Sequence, residues 1–374
     1  KKKSKKVPCD IPRDLEALGY KIDEKNQLVS IEDGEIYKFE VKDRAYNERL
    51  YDIIMELLAS WVEEKLQKDL GFIKKILPLG ATENDIHTKI FLTPDYETND
   101  KMIIFIPGTA HSVGIWSRRA LIDISVIDGS MINYAKRALD LGFSIVMLNP
   151  NEVFWYKGKG VLILPKTTAP FDTIPGSESP EAHTSYVFEN ILMNIKSPIP
   201  HRPSAAQKIF IVANSYGGHC AIDVMQNHFN ELSERVKAIE FTVSAHSIDF
   251  VKTDRMKVWI REHCRNWLMS DLPIGEEIID TRFGCHSFSS GSELIEYITY
   301  AVIDLVFKFI ENKLINPENF QDDTCDTDDD LLISESQHIF DTLVSNVQDI
   351  KYDFDDNENC RIVKETDGSA WLSD

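Results

Sequence analysis

The chain has 374 residues, 43% hydrophobic and 10% aromatic, enough to bury a sizeable core, which excludes a peptide, a collagen and a chain disordered by composition. Its formal charge of −20 is uneven: residues 318–374 hold 17 acids against Lys351, Arg361 and Lys364, so this tail carries −14 and leaves −6 for everything before it. A body of that charge has no global field for gripping phosphates, so strong direct nucleic-acid binding is not expected, although a local basic patch survives this arithmetic. The only dense basic run, Lys1-Lys2-Lys3-Ser4-Lys5-Lys6, reads either as a nuclear-localisation signal or as a solvated end. Cys9, Cys220, Cys264, Cys285, Cys325 and Cys360 are scattered without a C-x-x-C pair, which argues against a zinc cluster or a disulfide framework and makes a reducing compartment the default. Neither a metal nor a cofactor is expected, and no apolar run approaches the ~18 residues of a membrane span.

In chain order, residues 10–48 form short mixed segments punctuated by Gly19 and Gly34, with 36–41 reading as an edge strand or hairpin. Leu50, Ile53, Ile54, Leu57, Leu58, Trp61, Val62 and Leu66 recur at steps of three and four, the stripe of an amphipathic helix docking on a core. Strand and helix then alternate. Residues 102–106 (MIIFI) are a buried strand ending at Pro107-Gly108, 130–141 a helix, and 144–148 (SIVML) a strand stopped by Asn149-Pro150. Residues 151–178 read as loop, after which Ser179 caps a helix that opens with Pro180 and Glu181. Next come a strand at 208–213 (KIFIVA), a helix at 217–229 and a strand at 238–243 (AIEFTV). Continuous Ile/Val-rich strands separated by helices predict a parallel sheet covered on both faces. Further helices are predicted through 258–267 and 294–309, and the body ends near Pro317.

The sharpest chemical candidate is the turn Ala213-Asn214-Ser215-Tyr216-Gly217-Gly218, set between an apolar strand and a helix. A serine there is held exposed above the sheet, and the small flanks Ala213 and Gly217 let neighbouring backbone approach. The amide of Tyr216, with the loop carrying Gly108 and Thr109, would make an oxyanion hole. An elbow serine is inert without a base and an acid that orients the base. No carboxylate stands at the end of the next strand, so His246, His263 and His286 are the candidate bases and Asp249 the nearest downstream acid. His246 reads more readily as a polar residue capping the strand, because nothing obvious orients it as a base. Asn149 and Asn151 sit at a strand's carboxyl end, where α/β sheets place clefts.

The ordered stretches 14–28 (DLEALGYKIDEKNQL), 104–119 (IFIPGTAHSVGIWSRR), 128–130 (DGS), 146–152 (VMLNPNE), 176–187 (GSESPEAHTSYV), 209–218 (IFIVANSYGG) and 260–267 (IREHCRNW) together resemble the Argonaute-binding-protein-two domain family. The resemblance implies an α/β-hydrolase-like fold, a doubly wound, mostly parallel sheet with helices on both faces, plus an N-terminal extension and an acidic C-terminal tail. It also implies nuclear protein partners in RNA-silencing, heterochromatin or cotranscriptional RNA-processing complexes. The family serine falls on Ser215, and His183, His246, Trp116, Arg118 and Arg119 match family positions. Asn214 replaces a family His, Val243 falls where an Asp would stand, and Ile295 falls near a later His.

The expected organisation is a basic segment (1–9), the N-terminal part of the family domain (10–100), a hydrolase-like core (101–317) and the tail (318–374). Two functions stay open: a non-catalytic scaffold, expected in the nucleus with the cytoplasm as a second option, that binds proteins rather than membranes, or an active serine hydrolase on an ester, thioester or amide. In the tail, residues 328–335 (DDDLLISE) resemble a SUMO-interacting segment, and Leu331, Leu332, Ile339, Phe340, Leu343, Val344 and Val347 form an apolar stripe suited to folding back or docking.

Overall fold

The computed structural model describes residues 11–39, 44–109, 111–162, 170–196 and 202–315, and the backbone of 352–354 and 360–362. The tail segments singled out above lie outside the described residues.

A nine-stranded sheet organises the molecule. Its strands are β3 (Ile73–Leu77), β4 (Thr88–Leu92), β5 (Lys101–Ile106), β6 (Ser144–Met147), β10 (Lys208–Asn214), β11 (Val236–Thr242), β12 (Cys264–Leu268), β13 (Glu277–Ile278) and β14 (His286–Ser289), in the spatial order β13-β14-β12-β11-β10-β5-β6-β4-β3. The six strands from β14 to β6 run parallel, while β3, β4 and β13 are antiparallel to their neighbours. Strands taken from before residue 100 thus complete the same sheet. Outside it, β1 (Tyr20–Ile22) and β2 (Leu28–Ser30) form a hairpin, and β7 (Phe154–Tyr156), β8 (Lys159–Val161) and β9 (Asp172–Thr173) form a small antiparallel sheet in the stretch expected to be loop. The backbone of β15 (Tyr352–Phe354) pairs with that of β16 (Cys360–Ile362).

The two faces of the sheet follow from the two-residue period of its strands. In β5, Ile103 and Phe105 join one core, while Met102, Ile104 and Ile106 join the other; in β10, Phe210 and Val212 divide in the same way from Ile209, Ile211 and Ala213. The first core is covered by α1 (Arg44–Lys68), α3 (Ile132–Asp140) and α9 (Ile303–Ile315). The second is covered by α4 (Pro180–Val187), α5 (Tyr216–Asn227), α6 (Phe229–Arg235) and α7 (Asp254–His263). The remaining helices are α2 (Arg118–Asp123) and α8 (Ile298–Ala301). Layers of helix on both faces of a mostly parallel sheet, with a serine turn after β10, make this an α/β-hydrolase-like fold.

Local rules set several boundaries. The Ser179 hydroxyl accepts from the Ala182 amide at 3.1 Å and Pro180 opens α4, as its sequence predicts. The helix expected through 258–267 is corrected: it stops at His263, and residues 264–268 become β12, hydrogen-bonded to β11 on one side and β14 on the other. Arg265 and Asn266 break the apolar run that would have marked this strand. The helix expected at 294–309 is likewise divided at Val302, between α8 and α9.

Candidate functional site

Ser215 connects β10 to α5 with φ 47° and ψ −120°, a conformation that L-residues rarely adopt and that costs of order 1–3 kcal/mol. Hydrogen bonds hold it there: its amide donates to the Thr242 carbonyl at 2.9 Å, and its own carbonyl accepts from Gly218 and Ala245, each at 3.0 Å. The two glycines are required by contact. A Cβ on Gly217 would lie 2.6 Å from the Ile106 carbonyl oxygen and 2.8 Å from that of Pro107; one on Gly218 would lie 2.1 Å from Ser244 Oγ. Helix α5 therefore begins hard against the loop after β5.

That loop packs on the serine. A Cβ on Gly108 would meet Asn214 Oδ1 at 2.4 Å and Ser215 Cβ at 3.0 Å. Asn151 fixes the loop from the other side, its Nδ2 donating to the carbonyls of Gly108 at 2.6 Å and His111 at 3.0 Å. The Tyr216 amide makes no hydrogen bond among the described residues, and the Thr109 hydroxyl oxygen is buried without a partner. Gly108, Thr109, Tyr216 and Gly217 are thus brought together around Ser215. No described side chain hydrogen-bonds the Ser215 hydroxyl.

The candidate bases stand elsewhere. His246 is buried with both ring nitrogens engaged: Nε2 faces the Phe283 carbonyl at 2.9 Å and must donate to it, so Nδ1 accepts from the Ser244 hydroxyl at 2.5 Å. Burial lowers its pKa to about 4, which keeps it neutral. His286 opens β14 in register with Arg265, which pairs with Glu240, which pairs with Val212. Three strand spacings, roughly 14 Å, separate it from β10. Its Nδ1 contacts Glu277 at 2.6 Å. His263 lies at the opposite end of the sheet from Ser215, stacked on Trp259 and bonded to the Lys237 carbonyl at 2.9 Å. Asp249 is exposed in the 3₁₀ turn Ile248–Phe250.

Val243 directly follows β11, beside the elbow. It is buried in apolar surroundings and has φ 52°, an outlier for a β-branched residue. Ile295 begins a 3₁₀ turn after β14, and residues 290–294 between them contain no histidine.

Several other candidates support the fold instead of facing the serine. His183 is buried, its Nε2 accepting from the Asn149 amide at 3.0 Å and its Nδ1 bonded to Ser177 Oγ at 2.8 Å; burial lowers its pKa to about 3. Asn149 in turn donates to Thr88 Oγ1 at 3.1 Å and to Glu152 at 2.7 Å, which ties the end of β6 to β4. Trp116 packs edge-on against Phe105 and Tyr134 in the core. Arg118 lies over the Tyr51 ring and 3.8 Å from Asp52, and Arg119 pairs with Asp123 at 3.0 Å beneath Tyr297.

One group was not singled out from the sequence. In the first turns of α5, the Tyr216 hydroxyl donates to Glu181 of α4, and His219 Nε2 lies 3.7 Å from the same carboxylate. The Tyr216 and His219 rings are 5.1 Å apart. The three-residue step from 216 to 219 signals one helix face, but the arrival of Glu181 depends on how α4 packs on α5.

The family model described as "Arb2 domain" matches residues 11–274. "Cotranscriptional regulator ARB2A homolog" of Xenopus tropicalis is 27% identical over 358 residues, covering 83% of this chain and 82% of its own. "Cotranscriptional regulator ARB2A" of Homo sapiens is 26% identical over 350 residues, covering 82% of each chain. Among solved structures, an esterase of Pyrococcus furiosus is 12% identical with a TM-score of 0.35, covering 67% of this chain and 93% of its own. An S-formylglutathione hydrolase from Agrobacterium tumefaciens is 9% identical with a TM-score of 0.34, covering 65% and 96% respectively. With the family model spanning most of the folded body, the chain belongs to the Arb2 domain family.

Proposed function

We propose that the protein is a non-catalytic α/β-hydrolase-like binding protein that acts through protein partners in a nuclear cotranscriptional regulatory complex. The observation that carries the non-catalytic half is His246: its two nitrogens are committed to Ser244 and Phe283, so it holds no lone pair for the Ser215 proton. A serine lacking its base loses about 10⁴-fold or more in rate. The regulatory half rests on relatives named cotranscriptional regulators that align over most of the chain. The finer setting, an RNA-silencing, heterochromatin or RNA-processing assembly, follows the family resemblance. Incubating the full chain with a fluorophosphonate probe and with an activated ester tests the reading. The expected result is labelling and turnover equal to those of Ser215→Ala; labelling that Ser215→Ala abolishes overturns it.

A second reading is favoured by one observation, the approach of Glu181 on α4 to His219 on the helix that Ser215 opens. In it, His219 acts as the base and Glu181 orients it, giving a serine hydrolase with a relay taken from α4 and α5. Its signature is probe labelling lost together in Ser215→Ala and His219→Ala.

A further inference from the structure

Among the described residues, Cys220, Cys264 and Cys285 are buried free thiols, and the topology sets two of them side by side. Cys264 is the first residue of β12, whose Arg265, Asn266, Trp267 and Leu268 pair in turn with His286, Ser287, Phe288 and Ser289 of the parallel strand β14. One step back along the same register, Cys264 stands opposite Cys285. Both side chains belong to the second core, with Ile239 and Phe283, so they lie on one face of the sheet. Adjacent strands are about 4.8 Å apart, within the window of about 4.4–6.8 Å between the Cα atoms of bridged cysteines. Cys220 is set apart on α5, beside Glu181 and Thr184 of α4.

The two thiols differ in access. Strand β12 is enclosed between β11 and β14, whereas β14 is covered toward the edge of the sheet only by the two-residue β13. Cys285 also follows a turn that ends at Gly284 with φ 66°. Its residue is 8% exposed, against 2% for Cys264. Burial pushes both thiols above the usual cysteine range, and the nearby Cys285 adds to the shift of Cys264. Each is therefore protonated at rest, and reaction goes through local opening of the edge.

We propose that Cys264 and Cys285 form a reversible disulfide with hydrogen peroxide as the oxidant, Cys285 reacting first and Cys264 closing the bridge. The Cys285 thiolate attacks one peroxide oxygen, the O–O bond breaks, and the departing hydroxide takes up the thiol proton as water, leaving a sulfenic acid. The Cys264 thiolate then displaces hydroxide from the Cys285 sulfur, and its proton completes a second water. Two thiols lose two electrons, and one peroxide gains them. Exchange with a small dithiol restores the pair. The bridge ties β14, and the turn whose Phe283 carbonyl holds His246, to β12. The proposal stands whether or not Ser215 is reactive.

The test treats the folded full chain with hydrogen peroxide, blocks the remaining free thiols and maps disulfides by mass spectrometry. The expected product joins Cys264 to Cys285, is lighter by two hydrogens, and returns to two thiols in dithiothreitol. In C264A, dimedone, which traps a sulfenic acid, labels Cys285 about tenfold or more above the parent chain. The mapping needs no substitution, so it decides the matter even if C264A folds poorly. A folded chain that keeps both thiols free under peroxide that oxidises the urea-unfolded chain, a bridge from either residue to another cysteine, or equal dimedone labelling of folded C264A and parent would each overturn the proposal.

Discussion

Two neighbouring strand ends each hold a non-glycine residue at positive φ, Ser215 after β10 at 47° and Val243 after β11 at 52°. At Ser215 the strained turn lifts a half-buried hydroxyl toward the loop of Gly108 and Thr109, and Gly217 and Gly218 let the backbone close around it. At Val243 the same sign of φ turns an apolar side chain into the core, with a partner only for its amide, the Trp267 carbonyl at 2.9 Å. Strain therefore does not by itself mark a reactive position. What separates the two is the chemistry that the strained residue presents and the space kept clear around it.

The largest expected effect comes from filling the space on the β10 side. Gly217→Val puts two methyl groups beyond a Cβ that already meets two backbone carbonyl oxygens at 2.6 and 2.8 Å, and main chain cannot swing away as a side-chain tip does. Loss of at least about 3 kcal/mol is expected, read from urea midpoints. A loss under about 1 kcal/mol would show that α5 can retreat from the loop and that the elbow is looser than its contacts suggest.

Next in size is a matched pair. Val212 is fully buried within β10, whereas Val243 is buried at positive φ. Val212→Gly loses packing and adds chain entropy; Val243→Gly loses similar packing but relieves a β-branched residue of left-handed backbone. Val243→Gly is expected to be less destabilising by about 2 kcal/mol in urea unfolding. Equal losses would mean that the backbone at 243 carries no strain.

How much of this was legible in the sequence divides along the same line. Strands β5, β6 and β10 read clearly because their apolar runs are continuous, and the elbow read clearly because its determinants, Ser215 with Ala213 and Gly217, are local. Strand β12 did not, since Arg265 and Asn266 interrupt its pattern and only pairing on both sides makes it a strand. The aromatic sheet of β7, β8 and β9 was hidden by its glycines and short strands. His246 read as base or strand cap, and no local rule could decide, because its partner Phe283 lies 37 positions away. The approach of Glu181 to His219 depends in the same way on helix packing.

A third comparison is in pH. Strand β10 buries only apolar side chains from Ile209 to Ala213, while β11 buries Glu240, and its following turn buries His246. Burial lowers His246 from 6.5 to about 4, so the unfolded chain takes up its proton first, and stability is lost as pH falls from about 6.5 toward 4. Burial raises Glu240 from 4.5 to about 8, with the Arg265 charge and the Trp267 bond opposing the shift, so its folded form keeps a proton that the unfolded chain has lost, and stability is lost as pH rises from 4.5 toward 8. Glu240→Gln can still accept the 2.7 Å hydrogen bond from Trp267 Nε1 without that ionisation. The variant should gain about 2 kcal/mol over the parent at pH 8 and little at pH 5, with the acid limb unchanged. A gain of equal size at both pH values would mean that packing, not ionisation, separates Gln from Glu.

The smallest effects belong to the residues whose type suggested a relay but whose position removes them from one. Asp249 is exposed in its turn, where its amide, not its carboxylate, makes the hydrogen bond, to Ser247 Oγ at 3.3 Å. His286 pairs with a partly exposed Glu277, a contact of the kind worth between nothing and about 1 kcal/mol. Asp249→Ala and His286→Ala should each shift stability by less than about 0.5 kcal/mol and leave the reactivity of Ser215 toward a fluorophosphonate unchanged. The sharper of the two readouts is the second. Stability could stay flat for any surface residue, but a change in labelling of Ser215 on removing either side chain would require it to reach across the ends of the strands between them. That would mean that the cleft closes in solution around partners which the fold holds apart.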